Sequence, residues 1–169
     1  MLEVIKKRRS HRRFSNKPIE DQKINEILNA AMFSPTAHHQ RQWEFVVVKD
    51  QATKEKLSEA TQYTGCTKEA SAVIVLCSPE VHQWVEDLSI IGEVIYLEAT
   101  NQGLATCWMH LKELGSSGKP DPEGYVRDLL GMPKTMRVLC FFPIGYPVLN
   151  LPEHAQSEFE VNKIHYEKW

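Results

Sequence analysis

The sequence predicts a single domain of the α/β or α+β class, and three observations carry that reading. The chain has 169 residues, the size of one domain. Hydrophobic residues make up 42% of it and charged residues 25%, enough apolar material for one buried core. Segments with helical spacing of apolar residues alternate along the chain with short apolar runs of strand length.

The elements follow in order. Leu2 to Arg9 reads as a short helix that ends in a basic cluster. From Glu20 to Phe33, Ile24, Ile27, Leu28 and Ala31 recur at helical spacing. Pro35 stops that helix, because proline disfavours a helical residue before it. Ser34 to Gln42 is a polar loop, Trp43 to Val48 a strand, and Thr53 to Gln62 a helix. Ala72 to Cys77 is continuously apolar and is predicted to be a strand buried on both faces. Val85 to Gln102 is a helix apolar on most sides, central or at an interface, with Gly103 as its C-cap. Leu104 to His110 is a third strand, and Gly115 to Gly124 a loop rich in Gly, Ser and Pro. Tyr125 to Leu130 is a short helix ended by Gly131 and Pro133, and Met136 to Pro143 a fourth strand. The tail from Asn150 to Trp169 is polar but closes on Ile164, Tyr166 and Trp169, so it is expected to dock on another surface.

Composition narrows the function. The net charge of −2 supplies no global field toward nucleic acid or an anionic membrane. The N-terminus has charge without an apolar run behind it, unlike a secretory signal. The most apolar helical stretch carries Glu93, Glu98 and Asn101, too polar for lipid. Cys66, Cys77, Cys107 and Cys140 form no C-x-x-C pair, and free thiols in a reducing cytoplasm are the expectation.

Charge is nevertheless concentrated. Lys6, Lys7, Arg8, Arg9, Arg12 and Arg13 fall in one short stretch. Taken alone, such a run is most often a solvated helix end; a basic arm for nucleic acid and an anion site are the other readings. Arginine matches phosphate oxygens bidentately and a serine hydroxyl adds a donor, which suits Arg8 and Ser10 to a phosphate. The basic-arm reading lacks a recognisable nucleic-acid motif. His38 and His39 are adjacent but have no Cys or carboxylate ligands in register, a poor metal signal, so no metal is expected.

Five blocks resemble one family. Arg8-Arg9-Ser10-His11-Arg12-Arg13-Phe14 resembles the R-R-S-x-R-x-F start of nitroreductase-family flavoproteins. Ser34-Pro35-Thr36-Ala37 and then Trp43 to Val48 are similar to the family's S-P-S-x-x-N-x-Q-P-W-x-F-V-V loop and strand. Gly103 to Trp108 resembles its G-L-G-T-C-W segment, Leu130-Gly131-Met132-Pro133 and Pro143 to Pro147 its L-G-x-P and P-I-G-Y-P blocks, and Ile164 to Trp169 a common family ending. Their order along nearly the whole chain is more specific than any one of them.

The resemblance implies an α+β fold with a mixed, mainly antiparallel sheet and an intertwined homodimer, residues 1–169 forming one domain and residues 150–169 a tail on the partner. It implies FMN at the dimer interface, held by Arg8, Arg9, Ser10 and Arg12, by Pro35, Thr36, Ala37 and His39 of the partner's loop, and by Thr106, Cys107, Trp108, Met109 and His110 beside the ring. The family's N–H that faces flavin N5 maps to His110 or Leu111. Trp108 is equally readable as a core aromatic. Cys107 has no evident base partner and reads as structural. His39 stands where the family has asparagine, and it can hydrogen-bond as asparagine does. The stretch from Val148 to Phe159 offers His154 but none of the family's phosphate-binding Lys or Arg.

The implied activity is a cytoplasmic oxidoreductase. Hydride passes from NAD(P)H through the flavin to a small acceptor such as a nitroaromatic or quinone, with no side chain required as catalyst. A non-catalytic flavin-binding or redox-sensing module and a flavin-dependent reductive dehalogenase are the alternatives.

Overall fold

An antiparallel sheet divides the protein into two apolar layers. The computed structural model describes residues 1–111 and 119–169. Its strands are β1 (Glu44–Val48), β2 (Ala72–Pro79), β3 (Ala105–Thr106), β4 (Met109–His110) and β5 (Met136–Gly145). β2 lies between β1 and β5, and β3 and β4 both pair with the far side of β5. Every strand pairing is antiparallel, and the sheet is extended by a single parallel bridge between Ser10 and Thr106. The helices are α1 (Glu3–Lys7), α2 (Asp21–Met32), α3 (Gln51–Leu57), α4 (Trp84–Asn101) and α5 (Pro122–Leu129).

Strand periodicity builds both layers. Ala72, Ile74 and Leu76 of β2 face one cluster with Ile24 and Ile27 of α2 and Leu88, Ile91 and Ile95 of α4. Val73, Val75 and Cys77 face the other, with Leu57 of α3 and Val126 of α5. The predicted two-sided burial of this strand is observed, since Ala72 to Ser78 are all buried. The β2–β5 register slips between Leu76, opposite Cys140, and Cys77, opposite Val138, so Leu139 is the extra residue of a bulge. Leu139 and Cys140 join the first cluster and Val138 the second, so the bulge keeps both layers apolar.

Helix ends explain most boundary differences. The helix expected at Thr53–Gln62 runs from Gln51 to Leu57, because the Asp50 carboxylate caps it, accepting from the Thr53 N–H and hydroxyl at 2.8 Å each. It stops early because the Thr64 hydroxyl donates to the Ser58 and Thr61 carbonyls and accepts from the Thr61 N–H, folding residues 61–64 into a tight turn. α5 begins at Pro122 rather than Tyr125. Asp121 caps it, accepting from Gly124 N–H at 2.9 Å, and Pro122 occupies its first turn. Of the expected loop Gly115–Gly124, residues 115–118 lie outside the described residues. Gly103 and Gly131, at φ +71° and +65°, end α4 and α5 in the same motif. Leu104 N–H reaches the Ala99 carbonyl and Met132 N–H the Arg127 carbonyl.

The strand expected at Leu104–His110 is broken in two. β3 and β4 keep one register, with Ala105 opposite Gly145 and His110 opposite Cys140. That register sets Cys107 opposite Pro143, which has no N–H to give to the ladder. The Pro143 carbonyl instead accepts from the Thr106 hydroxyl at 2.9 Å.

α5 is fastened to β5 by an almost buried carboxylate. Glu123 accepts from Arg137 Nε and Nη2 at 2.6 and 3.0 Å and from the Val138 N–H at 3.0 Å. These bonds also raise the Arg137 pKa. Arg137 keeps Glu80 when Glu123 is removed, so the loss falls on the buried Val138 N–H and on the tie between α5 and β5, and Glu123→Ala should cost about 1–3 kcal/mol in urea unfolding. Truncating the exposed partner of Lys119, Glu59, should stay within about 0.5 kcal/mol. Equal losses for the two variants would refute the role given to Glu123.

Candidate active site

The N-terminal arm is zipped along the sheet edge. Ser10 bridges to Thr106, and the His11 N–H donates to the Thr106 carbonyl at 2.9 Å. Four residues on, buried Phe14 packs where Gly145 has no side chain, a Cβ there falling 3.0 Å from the Phe14 ring. The Ser15 N–H then donates to the Tyr146 carbonyl at 2.9 Å. Between these anchors the arm holds Arg12 and Arg13 exposed, with Arg8 and Arg9 half-buried before it. None of these four arginines forms an ion pair with a carboxylate among the described residues. Burial and the neighbouring Arg9 push the His11 imidazole pKa down.

Tyr96 of α4 joins the arm to the strand beside it. Its hydroxyl lies 2.8 Å from Ser10 Oγ and accepts from the Trp108 N–H at 3.1 Å, while the Arg8 guanidinium sits 5.2 Å from its ring centre. Burial raises the Tyr96 pKa, so the phenol stays protonated. Arg8 also meets the tail. His154 Nε2 lies 3.2 Å from Arg8 Nη2 and 3.1 Å from the Arg8 carbonyl, and its Nδ1 lies 2.6 Å from Glu158. The bond to His154 lowers the Glu158 pKa.

Backbone alternation decides what the edge strand presents. The Leu111 N–H is spent on the Leu139 carbonyl at 3.1 Å, so odd-numbered residues bond to β5. Thr106, Trp108 and His110 therefore direct their N–H and carbonyl groups away from β5. The Thr106 carbonyl is taken by His11 and the Trp108 N–H by Tyr96. The His110 N–H points to the open edge. Between the two positions the sequence left open, His110 is the one with an outward donor.

A cleft of about 500 Å³ opens here, lined by Arg12, Trp108, Met109 and His110 and by the turn Thr61–Thr64. The Trp108 indole donates to His110 Nδ1 at 3.4 Å and the two rings stack 22° from parallel. Because indole can only donate, the proton of the neutral His110 ring sits on Nε2. Trp108 meets Phe142 edge-on, with ring centres 5.4 Å apart. It lies so close to α4 that a Cβ at Gly92 would be 2.4 Å from the indole. Trp108 is thus both core-packed and cleft-lining.

The other candidates divide. Cys107, Cys77 and Cys140 are buried and Cys66 half-buried, all four free. Burial pushes the Cys66 and Cys77 thiols up to about 11, far from a reactive thiolate. Pro35, Thr36, Ala37 and His39 sit at the first turns of α4, where the Ala37 N–H donates to Asp87 at 3.0 Å. Within one chain no hydrogen bond or ring contact among the described residues joins them to the arginine arm. His38, His39 and Arg41 all take positive φ, and the Arg41 side chain reaches the Met32 carbonyl and stacks near Trp43. No group of His, Cys, Asp and Glu suited to a metal occurs among the described residues. No helix among them is long and apolar enough to cross a membrane.

Sequence reasoning missed Tyr96, Gly92 and the turn Thr61–Thr64. Tyr96 read as one more apolar position of its helix, and a short polar turn carries no periodic signal. It did single out His154 as the one basic group of its stretch.

Fold and site together define an α+β oxidoreductase. The model of the nitroreductase family matches residues 5–86 and 78–146. The chain belongs to that family, whose members are flavin-dependent. A protein of Archaeoglobus fulgidus with the provisional name NADH dehydrogenase/NAD(P)H nitroreductase is 35% identical to it, covering 99% of this chain and 98% of that protein. An FMN-dependent nitroreductase from Clostridium difficile is 29% identical, covers 100% of both chains and superposes with a TM-score of 0.95. Iodotyrosine deiodinase 1 of Rattus norvegicus is 26% identical over 86% of this chain, which spans 61% of that enzyme.

Removing the Tyr96 hydroxyl would leave the Trp108 N–H without its acceptor. Tyr96→Phe should therefore cost about 1–3 kcal/mol in chemical denaturation. A midpoint unchanged from the wild type would show that the hydroxyl does not tie strand to arm.

Proposed function

We propose that the protein is an FMN-dependent NAD(P)H oxidoreductase that works as a homodimer and reduces a small conjugated acceptor such as a nitroaromatic or a quinone. The observation that carries this reading is the arm itself: four arginines within six residues, none paired with a carboxylate among the described residues, fixed beside an aromatic-walled cleft. A nearly dianionic phosphate is the group such a donor set fits. When bound, the flavin supplies two-electron chemistry at N5, through which a hydride from NAD(P)H reaches the acceptor.

The chain's own residues hold and shape this site. Arg8, Arg9 and Ser10 are assigned to the phosphate, with His154 held against Arg8 by its bonds to the Lys6 carbonyl and Glu158. Arg12, which lines the cleft, is assigned to the electron-rich end of the ring, where a cation stabilises the reduced state. The outward His110 N–H supplies a fixed donor, and Thr106, Cys107, Trp108 and Met109 form the wall beside it. Pro35, Thr36, Ala37 and His39 are assigned to the partner's site, since no hydrogen bond or ring contact among the described residues joins them to the arm of their own chain. No side chain is assigned as catalytic.

The dimer reading rests on apolar surface. Ile91 and Ile95 of α4 lie in the chain's own core. Ile90, Val94 and Leu97 remain at least partly exposed on one helical face. Leu2, Phe33, Phe159, Tyr166 and Trp169 are exposed as well. A surface so apolar marks an interface, and the tail 150–169 is assigned to it.

The purified protein should carry FMN or bind it when supplied, and NADH or NADPH should bleach the flavin absorbance within seconds. A bound flavin that neither nicotinamide reduces would favour a non-catalytic flavin-binding module. Light scattering at micromolar concentration should give twice the chain mass, and a monomer would overturn the shared site. Arg8→Ala should weaken FMN binding by roughly 30- to 150-fold, about 2–3 kcal/mol for charge-assisted bonds partly rescued by neighbours, and Arg13→Ala far less. Equal dissociation constants for the two would contradict the assignment.

A further inference from the structure

A second cavity, larger than the active-site cleft, shares no lining residue with it. It encloses about 630 Å³ between the start of α2, the start of α3 and the segment Lys68–Ala72. That is the size of a small-molecule pocket. Ile19, Ile24, Ala70 and Ala72 form an apolar wall. Facing this wall is Lys54 of α3, a lysine only 6% exposed.

The Lys54 ammonium is under-served. It donates to the Ala70 carbonyl at 2.6 Å. An ammonium has three donors, and the other two have no acceptor among the described residues. No carboxylate among the described residues pairs with it; Asp50 and Glu55 act only from a distance, and burial pushes its pKa down against them. A buried charge without a counter-charge is costly, and a bound anion would remove that cost. Lys49, at the rim, is already paired with Asp21.

We propose that this cavity binds a small organic monocarboxylate, with its head group on the two free donors of Lys54 and its apolar body against Ile19 and Ile24. The charge balance selects the class. Lys49, Lys54 and Lys68 line the cavity against Asp21 and Glu69, which leaves one positive charge in excess. That matches a monoanion and disfavours a phosphate dianion. The apolar wall asks for a hydrocarbon body, such as a phenyl ring or a branched alkyl chain. The site is independent of the flavin assignment, so either can fail alone.

The probe is benzoate, with benzamide as its neutral counterpart and inorganic phosphate as the ion without a body, each titrated calorimetrically into FMN-saturated protein. Benzoate should bind at least about tenfold more tightly than benzamide or phosphate, and Lys54→Met should weaken it by at least about tenfold. In the wild type, benzoate should also slow reductive methylation of Lys54 saturably, read by peptide mass spectrometry. This protection decides the matter if the variant does not fold. Benzamide binding as tightly as benzoate would overturn the role of the charge, and phosphate doing so would overturn the carboxylate class. Absence of both heat and protection up to about 10 mM would overturn the site.

Discussion

Everything at the candidate active site depends on how the edge strands dispose of their backbone polar groups. β3 and β4 have β5 on one side only, so alternate residues send their N–H and carbonyl groups outward, where each needs a partner. Thr106 is satisfied by His11, which pins the arginine arm. Trp108 is satisfied by the Tyr96 hydroxyl, which draws α4 and Ser10 into the same cluster. His110 is left facing the cleft. The pairing rule that stabilises the sheet thereby fixes the arm and turns one donor away from β5, toward the cavity. Pro143 sharpens the effect by silencing the rung opposite Cys107.

The arm concentrates positive charge that the fold could have neutralised and did not. Several cations elsewhere are matched: Arg137 by Glu123 and Glu80, Lys119 by Glu59, Lys6 by Glu3. Glu158, close to Arg9, is engaged by His154 rather than by an arginine. Self-repulsion of this kind is tolerable at a partly hydrated edge and is relieved by a bound polyanion. The tail enters the same balance. A histidine, unlike a lysine, can accept from Arg8 when neutral, so it packs against the guanidinium without adding another fixed charge.

Much of this was legible in the sequence, and the gaps have physical causes. The helices α2 and α4 and the strand β2 were readable because periodicity and burial act on the same residues. Helix starts at Asp50 and Asp121 were less legible, because the first turns they cap are mostly polar or glycine and proline and carry no apolar spacing. The break at Cys107-Trp108 was unreadable locally: its cause, Pro143, lies in another strand and acts only through register. The arginine–serine motif was legible as chemistry. Its supports were not, because Tyr96 and Gly92 look like ordinary helix positions until the strand they touch is known.

Gly92 is costly where it stands, since glycine inside a helix gives up roughly 1 kcal/mol relative to alanine. The vacancy it leaves is filled by the Trp108 ring, which also meets Phe142 and bonds His110. The two positions are therefore a matched set in evolutionary terms. A methyl group at 92 and an indole at 108 exclude each other, so a lineage can enlarge one only after trimming the other. Sequence divergence at this wall should proceed by paired exchanges, and the width of the cleft would be inherited as a joint property of helix and strand.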